Sequence, residues 1–169
     1  LAFAQEDDEE PFRPGLVREL LLTSGERVRE LAATPLVTAE EVAAAGGIKH
    51  IEWSGLLDFP DTGAYRLAVY GSGKISLKLG GRTVLERSAQ AVGWTESAEL
   101  NFEFGPQPLQ ITFEPLQNQK IAIGEMGLFW TGPNFGLEPI SPRARSAIWP
   151  WRANTPTSSS VCPRAVATA

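Results

Sequence analysis

Between Ile48 and Trp130, apolar side chains recur at every second position, and glycine and proline interrupt the pattern at short intervals. A period of two places successive side chains on opposite faces of a strand, so each run predicts a β-strand with one buried face. The clearest run is 75–79, where Ile, Leu and Leu alternate with Ser and Lys. Gly80 and Gly81 follow it, and because both can adopt positive φ they predict a two-residue hairpin.

About eight to ten short strands can be counted in this way, which is the spacing expected of an all-β, antiparallel β-sandwich. The segment 89–95, which carries Trp94, is predicted to be a loop, and the segment 105–108 with its two prolines is predicted to turn the chain. Leu100, Phe102 and Phe104 are expected to share one face of a strand. The positions predicted to face inward in the first core strand are Ile51, Trp53, Gly55, Leu57 and Phe59.

The segment that precedes the core is less regular. Residues 16–31 fit either one helix or two strands across a turn at 23–25, and the sequence leaves both interpretations open. Thr38 and Glu41 have the spacing of a capping box, with alanines behind them and two glycines after those, so one short helix is predicted there.

The 169 residues suit one domain with irregular ends. We expect a disordered acidic lead-in over 1–14, a β-sandwich over 15–143 and an irregular or disordered tail over 144–169. The acidic run 6–10 is interpreted as solvated lead-in rather than as a cation-binding tail. Ala2 and Ala4 have the small-x-small form of a signal-peptide cleavage site, so residues 1–4 are either a remnant of an export signal or an ordinary chain start.

Charge and cysteine content exclude several function classes. The net charge of −5 disfavours nucleic acid, because phosphate binding needs clustered Lys and Arg. Cys162 is the single cysteine, so the chain can form no internal disulfide and no cysteine-based zinc site. No apolar run approaches the roughly 18 residues of a membrane span.

We find no catalytic set in the sequence, and we expect a protein that is not an enzyme. His50 is the single histidine and precedes a strand, without the Gly-x-Ser-x-Gly elbow of many hydrolases. Glu52, Asp58 and Asp61 are close enough in sequence to suggest the paired carboxylates of a glycosidase. Solvent-facing strand positions and a turn explain these three acidic residues more simply.

Two aromatic side chains are candidates for ligand contact. Tyr70 is predicted to point outward from its strand and Trp94 to lie in a loop, so both can stack on a sugar ring; packing under loops is the alternative interpretation. Together with Asp58 and Asp61, they form the set of candidate ligand-binding residues. No metal ligand and no cofactor are predicted.

Five motifs in order resemble those of the PA14 domain family, from about Gly15 to Arg143. Gly15-Leu16-Val17 resembles the first strand of the family. The other four are Trp53-Ser54-Gly55-Leu56 followed by Pro60-x-x-Gly63-x-Tyr65-x-Leu67, the hairpin 75–85, the strand pair 100–113, and the closing Leu128-Phe129-Trp130-Thr131-Gly132-Pro133.

The resemblance implies a mostly antiparallel β-sandwich that serves as a module in secreted or surface proteins. Some members of the family bind carbohydrate through calcium held by two adjacent Asp residues, at the place where this chain has Gly71-Ser72-Gly73. The resemblance is to the variant in exported planctomycete-type bacterial proteins, which is often joined to c-type cytochrome domains. Cys162-Pro163-Arg164-Ala165 does not fit the haem motif of such domains.

The expected function is that of a non-catalytic binding module of an exported protein, with carbohydrate or glycan as ligand. The expected location is extracytoplasmic: periplasmic, cell-surface or secreted. The alternative is a structural or interaction domain within a larger c-type cytochrome or degradative protein, with neighbouring domains in the same parent chain. A glycosidase is the third hypothesis.

Overall fold

The structure is a computed structural model that describes residues 13–44, 47–118, 121–140 and 144–146. The predicted signal remnant, the acidic run, Gly46, Cys162 and the tail beyond 146 lie outside the described residues. The described part contains fourteen strands and one helix. The strands are β1 (Arg13–Pro14), β2 (Leu16–Leu22), β3 (Arg27–Ala32), β4 (Leu36–Val37), β5 (Ile48–Phe59), β6 (Gly63–Leu79), β7 (Arg82–Glu96), β8 (Leu100–Phe102), β9 (Gly105–Glu114), β10 (Leu116–Asn118), β11 (Ile121–Ile123), β12 (Glu125–Gly132), β13 (Phe135–Pro139) and β14 (Ala144–Ser146), and the helix is α1 (Ala39–Ala44).

Twelve of the strands form one antiparallel sheet that curls into a sandwich, and β10 and β11 form a separate hairpin. The main path through the sheet is β1-β14-β5-β9-β6-β12-β13, with β2, β3, β4, β7 and β8 attached beside it. Eight of the fourteen strands have five or more residues. The predicted all-β, antiparallel fold class with one short helix before the core is therefore confirmed.

The 17-residue strand β6 belongs to both layers of the sandwich. Its first half, 66–72, pairs with β12, and its last part, 74–79, pairs with β9. Along its other edge β6 pairs with β7 both before and after the bend, with a register shift between Gly71 and Gly73. The bend at 71–73 therefore joins the β12 layer to the β9 layer through a single strand.

The core lies between the two layers and is built from the positions that the alternation predicts. Trp53, Leu77 and Phe113 enter it from the β5–β9–β6 layer, and Leu67 and Trp130 enter it from the β6–β12 layer; all five are buried. Around Trp130 the core is built from aromatic rings that pack against one another. The ring centroids of Tyr65 and Trp130 are 5.9 Å apart. The hairpin at Gly80 and Gly81 is also confirmed, with φ of 58° and 79°.

The segment 16–31 forms two strands, β2 and β3, joined by a tight turn. The predicted helix is present as α1, and its start is capped as expected because the Glu41 amide donates to Thr38 Oγ1 at 3.1 Å. β1 and β14 pair with each other, and β14 also pairs with β5, so the sheet includes residues on both sides of the range 15–143. No helix in the described part of the chain has the length and hydropathy needed to span a membrane.

Three local predictions are wrong. The segment 89–95 is not a loop: it belongs to β7 and pairs with β6. The chain does not turn at 105–108, because these residues begin β9 and pair with β5; it reverses before Gly105, whose φ is 120°. Phe104 precedes that strand and is 75% exposed, so it does not share the partly buried face of Leu100 and Phe102.

Candidate functional site

A cluster of three aromatic rings, two of them exposed and one half-buried, lies on the outer face of the β7–β6–β12 layer. Tyr70 of β6 and Trp94 of β7 are direct cross-strand partners, with ring centroids 5.0 Å apart. Phe129 of β12 approaches Trp94 edge-on, also at 5.0 Å. Tyr70 is 41% exposed and Trp94 49% exposed, although each contacts the other. We call Tyr70, Trp94 and Phe129 the aromatic platform.

The strand register continues the platform into a row across four strands. Leu36 of β4 pairs with Gly127 of β12, Gly127 pairs with Tyr70, and Tyr70 pairs with Trp94. Leu36 is 53% exposed. Gly127 adds no side chain to the row; a Cβ there would lie 3.1 Å from Phe129 Cε2 and 3.9 Å from Leu36 Cδ1, so the Phe129 ring and Leu36 fill the space over this glycine. With strands about 4.8 Å apart, the row is roughly 14 Å long.

The segment of β7 that carries Trp94 is bulged. Gly71 pairs with Gly93 and Gly73 pairs with Ala89, so the three residues 90–92 face the single residue Ser72. A bulge leaves its extra residues outside the regular ladder and increases the local bend. Residues 90–92, which lead into the regular pairing of 93–96 with β6, therefore depend on contacts other than the ladder.

Arg87 supplies those contacts through its guanidinium group. Its Nε donates to the Gly71 carbonyl oxygen at 2.9 Å and its Nη2 donates to the Ala91 carbonyl oxygen at 2.8 Å. Its Nη1 donates to Thr95 Oγ1 at 2.7 Å, with a longer contact of 3.5 Å to the Trp94 carbonyl oxygen. One side chain thus joins the corner of β6 to both sides of the bulge in β7. Arg87 was not among the candidate residues predicted from the sequence.

Asp58 and Asp61 lie away from the platform. Asp58 is in β5 opposite Pro106, and Asp61 is in the turn between β5 and β6. Tyr70 is seven residues along β6 from Gly63, which corresponds to roughly 23 Å of extended strand. The structure therefore brings Tyr70 and Trp94 together and keeps both away from the two aspartates.

The contacts of Asp61 stabilise its turn. Asn134 Nδ2 donates to Asp61 Oδ2 at 3.1 Å, and the Tyr65 hydroxyl donates to the Asp61 carbonyl oxygen at 2.7 Å. The turn before β6 is in this way tied both to the buried Tyr65 ring and to the loop after β12.

The other acidic and basic candidates are engaged in pairwise contacts on strand faces. Glu52 Oε1 accepts from Gln110 Nε2 at 2.8 Å across the β5–β9 pair. His50 Nδ1 lies 3.5 Å from a carboxylate oxygen of Glu114, and Lys74 Nζ lies 3.7 Å from the other. Each of these contacts is explained by cross-strand pairing.

The corner 71–73 does not fit the calcium site that the resemblance implies. Calcium is held by six to eight oxygens, several of them from carboxylates. This corner offers Gly, Ser and Gly, and its Gly71 carbonyl oxygen already accepts from the Arg87 cation. Within 13–44, 47–118, 121–140 and 144–146, no group of three or more His, Cys, Asp and Glu side chains is placed to hold a metal ion.

Comparison with solved structures identifies the fold. The chain superposes on the PA14 domain of the MpAFP antifreeze protein with a TM-score of 0.62 and 13% identity, covering 85% of this chain and 96% of that one. It superposes on a PA14 sugar-binding domain from an RTX adhesin with a TM-score of 0.61 and 13% identity, covering 79% and 98%.

A third neighbour, an anti-sigma factor domain-containing protein, gives a TM-score of 0.70 at 12% identity and covers 86% of this chain. The chain spans only 51% of the length of that protein. No protein-family model matches the sequence, and no curated protein matches it at a significant level. The shared architecture with two complete PA14 domains shows that this chain has a PA14-like fold.

Proposed function

We propose that this domain is a non-catalytic binding module that recognises carbohydrate through the aromatic platform. The observation that carries the proposal is the exposed, cross-strand pair of Tyr70 and Trp94, with Phe129 beside it. Exposed aromatic rings offer a large apolar face and, in Tyr and Trp, a polar group at the edge, which suits the alternating apolar and hydroxylated faces of a sugar. One structural neighbour is a sugar-binding domain, which makes carbohydrate the first ligand class to test.

The shape of the surface favours an extended ligand. The row from Leu36 to Trp94 crosses four strands and is roughly 14 Å long, which is longer than one sugar ring. The Phe129 ring lies over Gly127, between Leu36 and Tyr70, so it continues the apolar surface along the row. An oligosaccharide lying across the strands would contact both ends of this row.

Isothermal titration of the full chain with a panel of soluble polysaccharides and oligosaccharides tests the proposal. We expect Trp94→Ala and Tyr70→Ala each to weaken binding about tenfold, because each removes a stacking face. Phe104→Ala is the matched control, since Phe104 is a more exposed aromatic residue outside the platform, and it should bind as the unaltered chain does. Absence of binding across the panel, or equal affinity for Trp94→Ala, would reject carbohydrate recognition by this surface.

A second candidate function is docking of a neighbouring domain in the same parent chain. Two further aliphatic side chains are exposed near the platform: Leu36 in the row, and Val92 in the bulge, two residues before Trp94 and 44% exposed. Such a mixture of aromatic and aliphatic groups also suits a protein interface. Binding of the isolated domain to the remainder of its parent chain, abolished by Trp94→Ala in the absence of any glycan response, would favour this function.

We also propose an extracytoplasmic location, whose support is the resemblance of the five ordered motifs to those of modules in exported proteins. Fractionation of cells that express the parent protein tests this location, and recovery in the cytosolic fraction would reject it.

A further inference from the structure

The Arg87 guanidinium places a permanent positive charge at the bend between the two layers. It presents five N–H donors in a fixed planar fork, so it can bind several oxygens in one geometry. Here it binds the carbonyl oxygens of Gly71 and Ala91 and the hydroxyl of Thr95. These oxygens come from β6, from the bulge and from the end of β7, which are the three parts that must stay in register for Trp94 to face Tyr70.

The backbone provides room for this group. A Cβ on Gly93 would lie 3.1 Å from Arg87 Nη2, so the absence of a side chain there lets the guanidinium approach the bulge. Gly93 is also the cross-strand partner of Gly71, whose carbonyl oxygen binds Arg87 Nε. The paired glycines and the arginine are therefore parts of one arrangement.

We propose that Arg87 is a positioning residue that fixes the Trp94 segment of the platform, and that its guanidinium does at this bend what a bound divalent cation would do. A cation that gathers backbone and side-chain oxygens from three segments holds them together whether it is a metal ion or a guanidinium. The guanidinium forms hydrogen bonds to these oxygens, which are then not free to bind a metal ion. Its positive charge also repels any metal ion that comes close to it. The geometry of the platform is therefore independent of calcium.

Hydrogen–deuterium exchange of the full chain, read on peptides that cover 89–96, tests the positioning role without any ligand. We expect Arg87→Gln to accelerate exchange in this segment about tenfold, because it removes charged hydrogen bonds to the bulge. The exchange rate of Arg87→Lys should lie between those of the unaltered chain and Arg87→Gln, since Lys keeps the charge and loses the planar fork of donors. Arg82→Gln, an exposed arginine in the same strand, is the matched control and should exchange as the unaltered chain does.

The same measurement is repeated with calcium chloride and with EDTA. Neither should change the exchange of 89–96 in the unaltered chain. Slower exchange with calcium, or unchanged exchange in Arg87→Gln, would overturn the inference. If Arg87→Gln does not fold, Gly93→Ala serves instead, because its Cβ would press on Arg87 Nη2 and should accelerate exchange in the same segment.

The link to ligand binding rests on the proposed function and is measured separately. If an oligosaccharide binds the unaltered chain, Arg87→Gln should weaken its affinity about tenfold, and EDTA should leave that affinity unchanged. If no oligosaccharide binds, the proposed function fails while the exchange result still decides whether Arg87 positions Trp94. Loss of affinity with EDTA would contradict calcium independence directly.

Discussion

Gly73 is a residue of the β6 bend that both its backbone conformation and its surroundings restrict to glycine. Its φ is 112°, in a region that side chains rarely adopt. A Cβ there would lie 2.9 Å from the Glu114 carbonyl oxygen and 3.0 Å from Phe113 Cε2, where the last part of β6 meets β9. Backbone conformation and lack of space therefore both require glycine at this position.

The change Gly73→Ala is expected to lower the free energy of unfolding by about 2–4 kcal/mol, because it adds a steric clash to a disfavoured φ. Gly105→Ala separates the two effects, since Gly105 has a φ of 120° and a Cβ there would meet nothing within 4 Å. Urea unfolding should show a loss of about 1 kcal/mol for Gly105→Ala. Equal losses for the two variants would refute the steric part of the argument.

The sequence indicated the bend but not its nature. Gly71 and Gly73 predicted an interruption between two strands, because glycine usually ends a strand pattern. In the structure one strand continues through them and changes partners. A change of partner leaves no mark on the alternation of a strand, because buried and exposed positions keep the same period on both sides.

The prediction that Trp94 lies in a loop was wrong for a related reason. The inward positions of β7 near the bulge are Arg87, Ala89 and Gly93. Because these are polar or small, the segment lacks the large apolar residues by which a strand is recognised. The contact between Trp94 and Tyr70 joins residues far apart in sequence, so local patterns could nominate both rings but could not show that they touch.

At the scale of elements, α1 depends on its neighbours. A helix of six residues is too short to be stable alone in water. Val42 is buried, and Glu41 forms an ion pair with Arg18 of β2. Arg18 also pairs with Glu30 at 3.0 Å and lies 5.7 Å from the centroid of the buried Trp53 ring. One arginine thus links α1 to three strands.

We expect Glu41→Gln to lower the free energy of unfolding by about 1 kcal/mol, since Arg18 keeps its second carboxylate and the pair is partly open to solvent. Glu40→Gln, the neighbouring exposed carboxylate of the same helix, should change stability by less than about half of that. Thermal unfolding at low salt measures both. A larger effect from Glu40→Gln would show that helix charge, and not the pair with Arg18, stabilises α1.

At the scale of the whole molecule, β14 closes one side of β5. β5 pairs with β2 over 48–54, and β14 pairs with it at Leu56 and Leu57. β1 then pairs with β14, so residues near both ends of the described chain meet at this edge. A three-residue strand carries too little alternation to be recognised in a sequence, which is why the pattern gave no sign of β14.

A chain that ends at residue 140 is expected to unfold at lower urea concentration than a chain that ends at 146, because it leaves the Leu56–Leu57 stretch of β5 without its partner. Bare strand edges also template association, so the shorter chain should aggregate more readily on heating. Light scattering during a thermal ramp compares the two. Identical midpoints and scattering would show that β14 contributes nothing to the sheet.

The membership of β6 in both layers makes the sandwich a single cooperative unit. Neither layer can unfold while the other stays folded, because β6 is part of both. Unfolding should therefore follow one transition, whichever probe measures it. Linkage then makes any ligand of the outer aromatic face a stabiliser of the entire domain, including the distant β3 edge. A rise in melting temperature, seen equally by every probe, would therefore serve as a reporter of occupancy for a ligand whose identity is not known in advance.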